Sequence, residues 1–126
     1  MRDEDRISEL VIGSAIDMHR SLGPGLLESV YEECLSHELS LRHVLFERQK
    51  SVPVRYKGVN LDCGFRMDLL VAEILVVELK AIDKLLPIHT AQVLTCLRLS
   101  HCKVGLILNF NAIPLTAGIK RVVLNY

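Results

Sequence analysis

The sequence predicts an α/β fold in which a small sheet is flanked by helices. Three observations carry that expectation. The first forty residues repeat their apolar positions at helical spacing. Short alternating or apolar runs follow between about Val52 and Leu79, and a helix opened by Pro87 then precedes the buried-strand run VGLILNF.

From Asp5 to Leu22, the residues Ile7, Leu10, Val11, Ala15, Ile16 and Met18 recur at intervals of three and four, which is an amphipathic helix. Acids lie early in it and His19 and Arg20 late, as the helix dipole favours. GPG at 23–25 stops it, because Pro24 cannot continue a helix and the flanking glycines permit a sharp change of direction. A second helix is expected from about Leu26 to Arg42, with Leu27, Val30, Tyr31, Cys34, Leu35 and Leu39 on its repeat.

After residue 44 the period changes. Val52, Val54 and Tyr56 alternate with other residues up to YKGVN, where Lys57 and Gly58 suit a turn, and Leu61 to Val71 is expected to run back as one strand. Ile74 to Leu79 reads as a third strand, apolar on both faces like the centre of a covered sheet. A helix from Pro87 to about Ser100, a buried strand at 104–110 and an edge strand in IKRVVLN complete the order. A length of 126 residues is the usual size of one domain.

Within the apolar stretch RMDLLVAEILVVELK stand Asp68, Glu78 and Lys80, and charges in buried strands are costly unless compensated. If the two strands form a hairpin with an odd-length loop centred on Glu73, Asp68 and Glu78 lie directly opposite on one face, with Cβ atoms about 4.5–5.5 Å apart. Two anions that close require a shared proton or a cation between them. Lys80, two residues beyond Glu78, joins the same face. Two carboxylates together with water and phosphate oxygens suit a hard divalent ion. The plainer alternative is a cross-strand ion pair of Lys80 with Asp68 or Glu78, and an even-numbered loop would send the two acids to opposite faces.

Other candidates come in pairs. Glu28 and Tyr31 share a helix face, as do His89 and Gln92 near the start of the third helix, where a phosphate would be favoured. Their ordinary roles are a dipole-stabilised acid, a core tyrosine and a capping histidine. Fifteen basic and fifteen acidic side chains leave no net charge, so a polyanion would have to be met by a local patch. Arg42, Arg48, Lys50, Arg55 and Lys57 around the first hairpin are the candidates, together with Lys120 and Arg121. Cys34, Cys63, Cys96 and Cys102 form no CxxC pair and read as reduced thiols. From the charged N-terminus and the absence of a long apolar run, a cytoplasmic chain that does not enter a membrane is the expectation. A hydrophobic content of 50% makes a homodimer a reasonable expectation.

GFRMD at 64–68 followed by VELK at 77–80 resembles the bipartite signature of the PD-(D/E)XK nuclease superfamily. GLLESVY at 25–31 is similar to the motif that names the GxxExxY protein family within it, and PIHTAQ, LILNF and GIKR follow in that family's order. Met67 stands where the signature's name has Pro. The resemblance covers nearly the whole chain. It implies one nuclease-like domain over residues 1–126, with a small mixed sheet and a restriction-endonuclease-like core of order α-β-β-β-α-β. It also implies that Asp68 and Glu78 bind Mg²⁺ or Mn²⁺ with the carbonyl of Leu79, that Glu28 adds a further acid and that Lys80 assists the water nucleophile. Gln92 resembles the polar helix residue after the lysine, and with the family match Tyr31 and His89 become candidates for contacting substrate. The function expected is metal-dependent hydrolysis of nucleic-acid phosphodiesters, with DNA as the expected substrate. Because a fold does not by itself imply an activity, a non-catalytic nucleic-acid- or protein-binding module on the same scaffold is the alternative.

Overall fold

The computed structural model describes residues 2–125. Two helices open the chain, α1 (Asp3–Leu22) and α2 (Glu28–Leu41). Strand β1 (Phe46–Ser51) follows, then a short pair, β2 (Val54–Tyr56) and β3 (Val59–Leu61), and then β4 (Arg66–Val71) and β5 (Leu75–Lys80). Helix α3 (Pro87–Ser100) leads to β6 (Val104–Asn109), a 3-10 turn and β7 (Ile119–Val123).

Five strands make one sheet in the order β1-β4-β5-β6-β7. Neighbours run antiparallel except β5 and β6, which are parallel and joined through α3, the kind of crossover a parallel pair needs. Helices α1 and α2 cover one face, where Ile7, Val11, Tyr31 and Leu35 meet Leu69, Val77, Leu79 and Leu106. Helix α3 covers the other, with Val93, Cys96 and Leu97 against Leu70, Val76 and Ile107. Strands β5 and β6 are therefore apolar on both sides. Gly105 lets α3 approach closely, since a Cβ there would lie 2.7 Å from Val93 Cγ1.

The early strands differ from expectation. The first strand of the sheet is Phe46–Ser51, and the alternating run at 54–61 forms a separate two-stranded ribbon with its own sheet. Asp62 to Phe65 interrupts what reads as one strand from Leu61 to Val71. The reason is exposure: FERQKS is an edge strand paired only to β4 and mostly open to solvent, so it carries no alternating apolar signal. The terminal strand β7 lies at the opposite edge against β6, where it was expected. Among the described residues, no helix is long and apolar enough to cross a membrane.

Candidate active site

Strands β4 and β5 are joined through Ala72 and Glu73, both left-handed (φ 52° and 64°), with the Ile74 N–H bonded to the Val71 carbonyl at 3.1 Å. Pairing runs Val71 to Leu75, Leu70 to Val76 and Leu69 to Val77, the register centred on Glu73. One step further, Asp68 faces Glu78, and there the backbone ladder gives way. The Asp68 N–H donates to Glu78 Oε1 at 3.2 Å, and the Leu79 N–H donates to Asp68 Oδ2 at 2.9 Å. Each carboxylate thus takes the place of a strand carbonyl, and the strands part around the two acids.

The electrostatic consequence falls on Glu78. Burial, followed by the negative charge of Asp68, raises its pKa from an ordinary 4.5 to about 8, and the positive charge of Lys80 opposes this only weakly. Nearby Cys96 is pushed up to about 12, first by burial and then by the charge of Glu78, which keeps it an inert thiol.

The edge of β5 gathers further donors. The Lys80 carbonyl bonds the Phe110 N–H at 2.9 Å, so it points toward β6. Backbone groups alternate along a strand, and those of Leu79 and Ala81 therefore face the parted edge. The Leu79 N–H sits on Asp68, and the Ala81 N–H on Glu28 Oε2 at 3.2 Å. Two such amides are about 6.6 Å apart, and the Leu79 carbonyl opens onto the same edge. Glu28 opens α2, so the first turn of that helix is set against the end of β5.

On the α3 side lies a cavity of about 380 Å³ lined by Glu78, Lys80, His89, Gln92, Gln49 and Arg66, among others. Lys80 makes none of the ion pairs within 4.0 Å found among the described residues, so the simple cross-strand pair is not formed. His89 does two things. Its Nδ1 accepts the Leu86 N–H at 2.9 Å, closing the first turn of α3, and a neutral ring then carries its proton on Nε2.

Tyr31 is not among the residues lining this cavity. It is fully buried, stacked on Phe110 with centroids 4.5 Å apart, and its hydroxyl donates to the Gly23 carbonyl at 2.6 Å and accepts the Leu26 N–H at 3.2 Å. The phenol therefore locks the GPG turn in front of α2 and has no surface to offer a substrate.

Three residues escaped the sequence reading. Gln49 is left-handed (φ 49°) and is skipped where β1 pairing passes from Arg48–Leu69 to Lys50–Met67. The register is the same on both sides of it, so no residue is inserted; the left-handed kink opposite Asp68 aims the side-chain amide at Glu32 Oε1 (2.5 Å) and Asp68 Oδ1 (3.3 Å). Glu32, buried on α2, also receives Arg48 at 3.0 Å. Buried Asn109 clamps the chain just after Lys80, donating to the Ile82 carbonyl at 2.9 Å and accepting the Ile82 N–H at 3.2 Å. The only sequence hint was a polar residue ending an apolar run.

Among the described residues, no three His, Cys, Asp or Glu side chains converge as a ready-made metal cage. The donors fit a hard divalent cation nonetheless. Mg²⁺ is commonly held by one or two carboxylates, the rest of its shell being water and substrate oxygens. Two repelling carboxylates beside an outward-facing carbonyl supply that set.

A family model described as the PD-(D/E)XK nuclease superfamily matches residues 5–122, from the first helix into the last strand. Comparisons with curated proteins and with solved structures find no significant match. The matched span includes the parted hairpin and the helix that faces it, and the chain belongs to the PD-(D/E)XK nuclease superfamily.

Proposed function

We propose that the protein is a divalent-metal-dependent phosphodiesterase that hydrolyses nucleic acid, with DNA as its substrate. The observation that carries this reading is the exchange at the parted hairpin, where Asp68 and Glu78 each bond the other strand's backbone while Lys80 shares the cavity with Glu78. Asp68, Glu78, the Leu79 carbonyl and Glu28 would hold Mg²⁺ or Mn²⁺. When bound, such an ion polarises a phosphoryl oxygen and makes its water more acidic.

The chain's own groups do the rest. Glu78 gives up the proton that burial and Asp68 otherwise keep on it, and so becomes an anionic ligand. The Lys80 ammonium orients the attacking water and offsets charge developing on phosphorus-bound oxygen. Gln92 and the Nε2–H of His89, in the first two turns of α3, donate to the phosphate, which that helix end already favours. The water gives a proton to solvent as its oxygen forms the new bond to phosphorus, and the sugar oxygen whose bond to phosphorus breaks takes up a proton from solvent.

The test is cleavage of a panel of DNA and RNA substrates with Mg²⁺ or Mn²⁺. Lys80→Ala and Asp68→Ala should each lose on the order of 100-fold or more. Activity equal to wild type in both would defeat the proposal.

A second reading, a non-catalytic binding module, draws on the absence of net charge and, among the described residues, of a ready-made metal cage. A Mn²⁺ titration separates the two, because an ion bound only by the folded state raises the melting temperature. No shift at millimolar metal together with no cleavage would favour the module.

A further inference from the structure

The ribbon of β2 and β3 stands apart from the packed layers. Its two strands pair only with each other, and their residues are mostly exposed, with Tyr56 at 61%, Val59 at 55% and Leu61 at 41%. An isolated hairpin is marginal in water, so this one needs support from its root and its own cross-strand pairs. The root supplies it. The Val52 N–H bonds the Phe65 carbonyl at 2.8 Å, extending the β1–β4 pair, and Asp62 Oδ1 accepts from Ser51 Oγ (3.4 Å) and the Gly64 N–H (3.3 Å). Val54 opposite Leu61 and Tyr56 opposite Val59 stiffen one face of the ribbon.

The other face pairs Arg55 with Asn60, whose side chains meet at 3.4 Å. Arginine and asparagine are the side chains that read guanine and adenine by two hydrogen bonds in the major groove. At the tip, Lys57 and Gly58 form the two-residue turn, both with positive φ (48° and 80°). Glycine, asparagine or aspartate normally takes such positions, so a lysine there accepts backbone strain; its ammonium lies over the Tyr56 ring, 5.4 Å from the centroid, a contact a phosphate would have to compete with.

Charge points the same way. Residues 48–66 carry five cations and one carboxylate, whereas in the rest of the chain carboxylates outnumber cations fourteen to ten. Glu32 and Glu33 pair with Arg48, and Glu47 with Lys50. Arg55, Lys57 and Arg66 enter none of the ion pairs within 4.0 Å among the described residues. Gly64, Phe65 and Arg66, at the ribbon's root, line the cavity that holds Glu78 and Lys80. The arm's place relative to the candidate site is thereby set.

We infer that the β2–β3 ribbon is the chain's grip on duplex DNA, entering the major groove beside the strand presented to the cavity. A two-stranded ribbon fits the B-form major groove, about 12 Å wide, whereas the deep, narrow major groove of A-form RNA does not admit one. Arg55 and Asn60 then face base edges, and Lys57 meets a phosphate. The inference deepens the nuclease reading by naming a duplex substrate, and binding alone can test it.

The experiment measures fluorescence anisotropy of a labelled DNA duplex, its single strand and the matching RNA duplex across a salt series in EDTA, where cleavage is suppressed. Wild type should prefer duplex DNA. Arg55→Ala/Lys57→Ala should bind it at least about tenfold more weakly, with a log K against log salt slope shallower by about one to two. Its melting temperature should be unchanged, because the arm lies outside the core. Equal affinity and slope in wild type and variant, or no duplex binding by wild type, overturns the inference. Cleavage assays separate the two proposals. If Mn²⁺ supports no hydrolysis but the ribbon variant loses DNA, only the nuclease reading fails. If hydrolysis proceeds and the ribbon variant binds as wild type does, only the ribbon inference fails.

Discussion

Asp68 and Glu78 trade places in the hydrogen-bond ladder: the amide of Asp68 bonds the side chain of Glu78, and the amide beside Glu78 bonds the side chain of Asp68. The exchange brings two carboxylates together at the point where the strands part. It also makes the charge of Glu78 a burden on the metal-free fold.

That burden is visible in stability against pH. The folded pKa of Glu78, about 8, lies above its ordinary 4.5, so its favourable contribution is complete below about 4.5 and is lost as pH rises through 8. Glu78→Gln should therefore melt higher than wild type in EDTA at pH 8.5, by roughly a few degrees. The gap should close by pH 5. Thermal melts at both pH values check this, and a variant less stable than wild type at pH 8.5 counts against it.

Metal should reverse the trend. Because the ion must displace the Glu78 proton, the stabilisation by Mn²⁺ should be larger at pH 8.5 than at pH 6. At a hundredfold excess over Kd it amounts to about 2.7 kcal/mol. Asp68→Ala should abolish most of the shift, as melts with and without metal would show.

Tyr31→Phe keeps the ring on Phe110 but removes the two bonds that hold the GPG turn. Stability should fall by about 1–2 kcal/mol while kcat/KM stays within a factor of about two of wild type. Denaturant melts and steady-state cleavage measure the two effects separately. A collapse of activity with unchanged stability would return Tyr31 to the substrate.

Gln49→Ala removes the amide that joins Asp68 to Glu32 and leaves a β-carbon in a left-handed position. Cleavage should drop about tenfold, and Mn²⁺ affinity should weaken with it, because the Asp68 carboxylate loses a fixed partner. A variant with wild-type metal affinity and rate would show the bridge to be structural only.

The hairpin register was legible in the sequence because it needs only two apolar flanks and an odd loop around Glu73, after which the numbers 68 and 78 place themselves. Helices α1, α2 and α3 were legible from their periods and from Pro24 and Pro87. Strand β1 was not, since an exposed edge strand buries too little to pattern FERQKS. Gln49 was hidden for a related reason: a left-handed kink inside a strand is a backbone event, and glutamine is not a residue that announces positive φ. Tyr31 is the opposite case: a family motif points it toward substrate, while its position is fully buried in the core.

A crystal of the protein soaked in Mn²⁺ and measured near the manganese absorption edge would decide whether the parted hairpin is a metal centre. An anomalous peak touching both Asp68 and Glu78 is the result expected here. A peak elsewhere, or none at millimolar metal and pH 8, would contradict it.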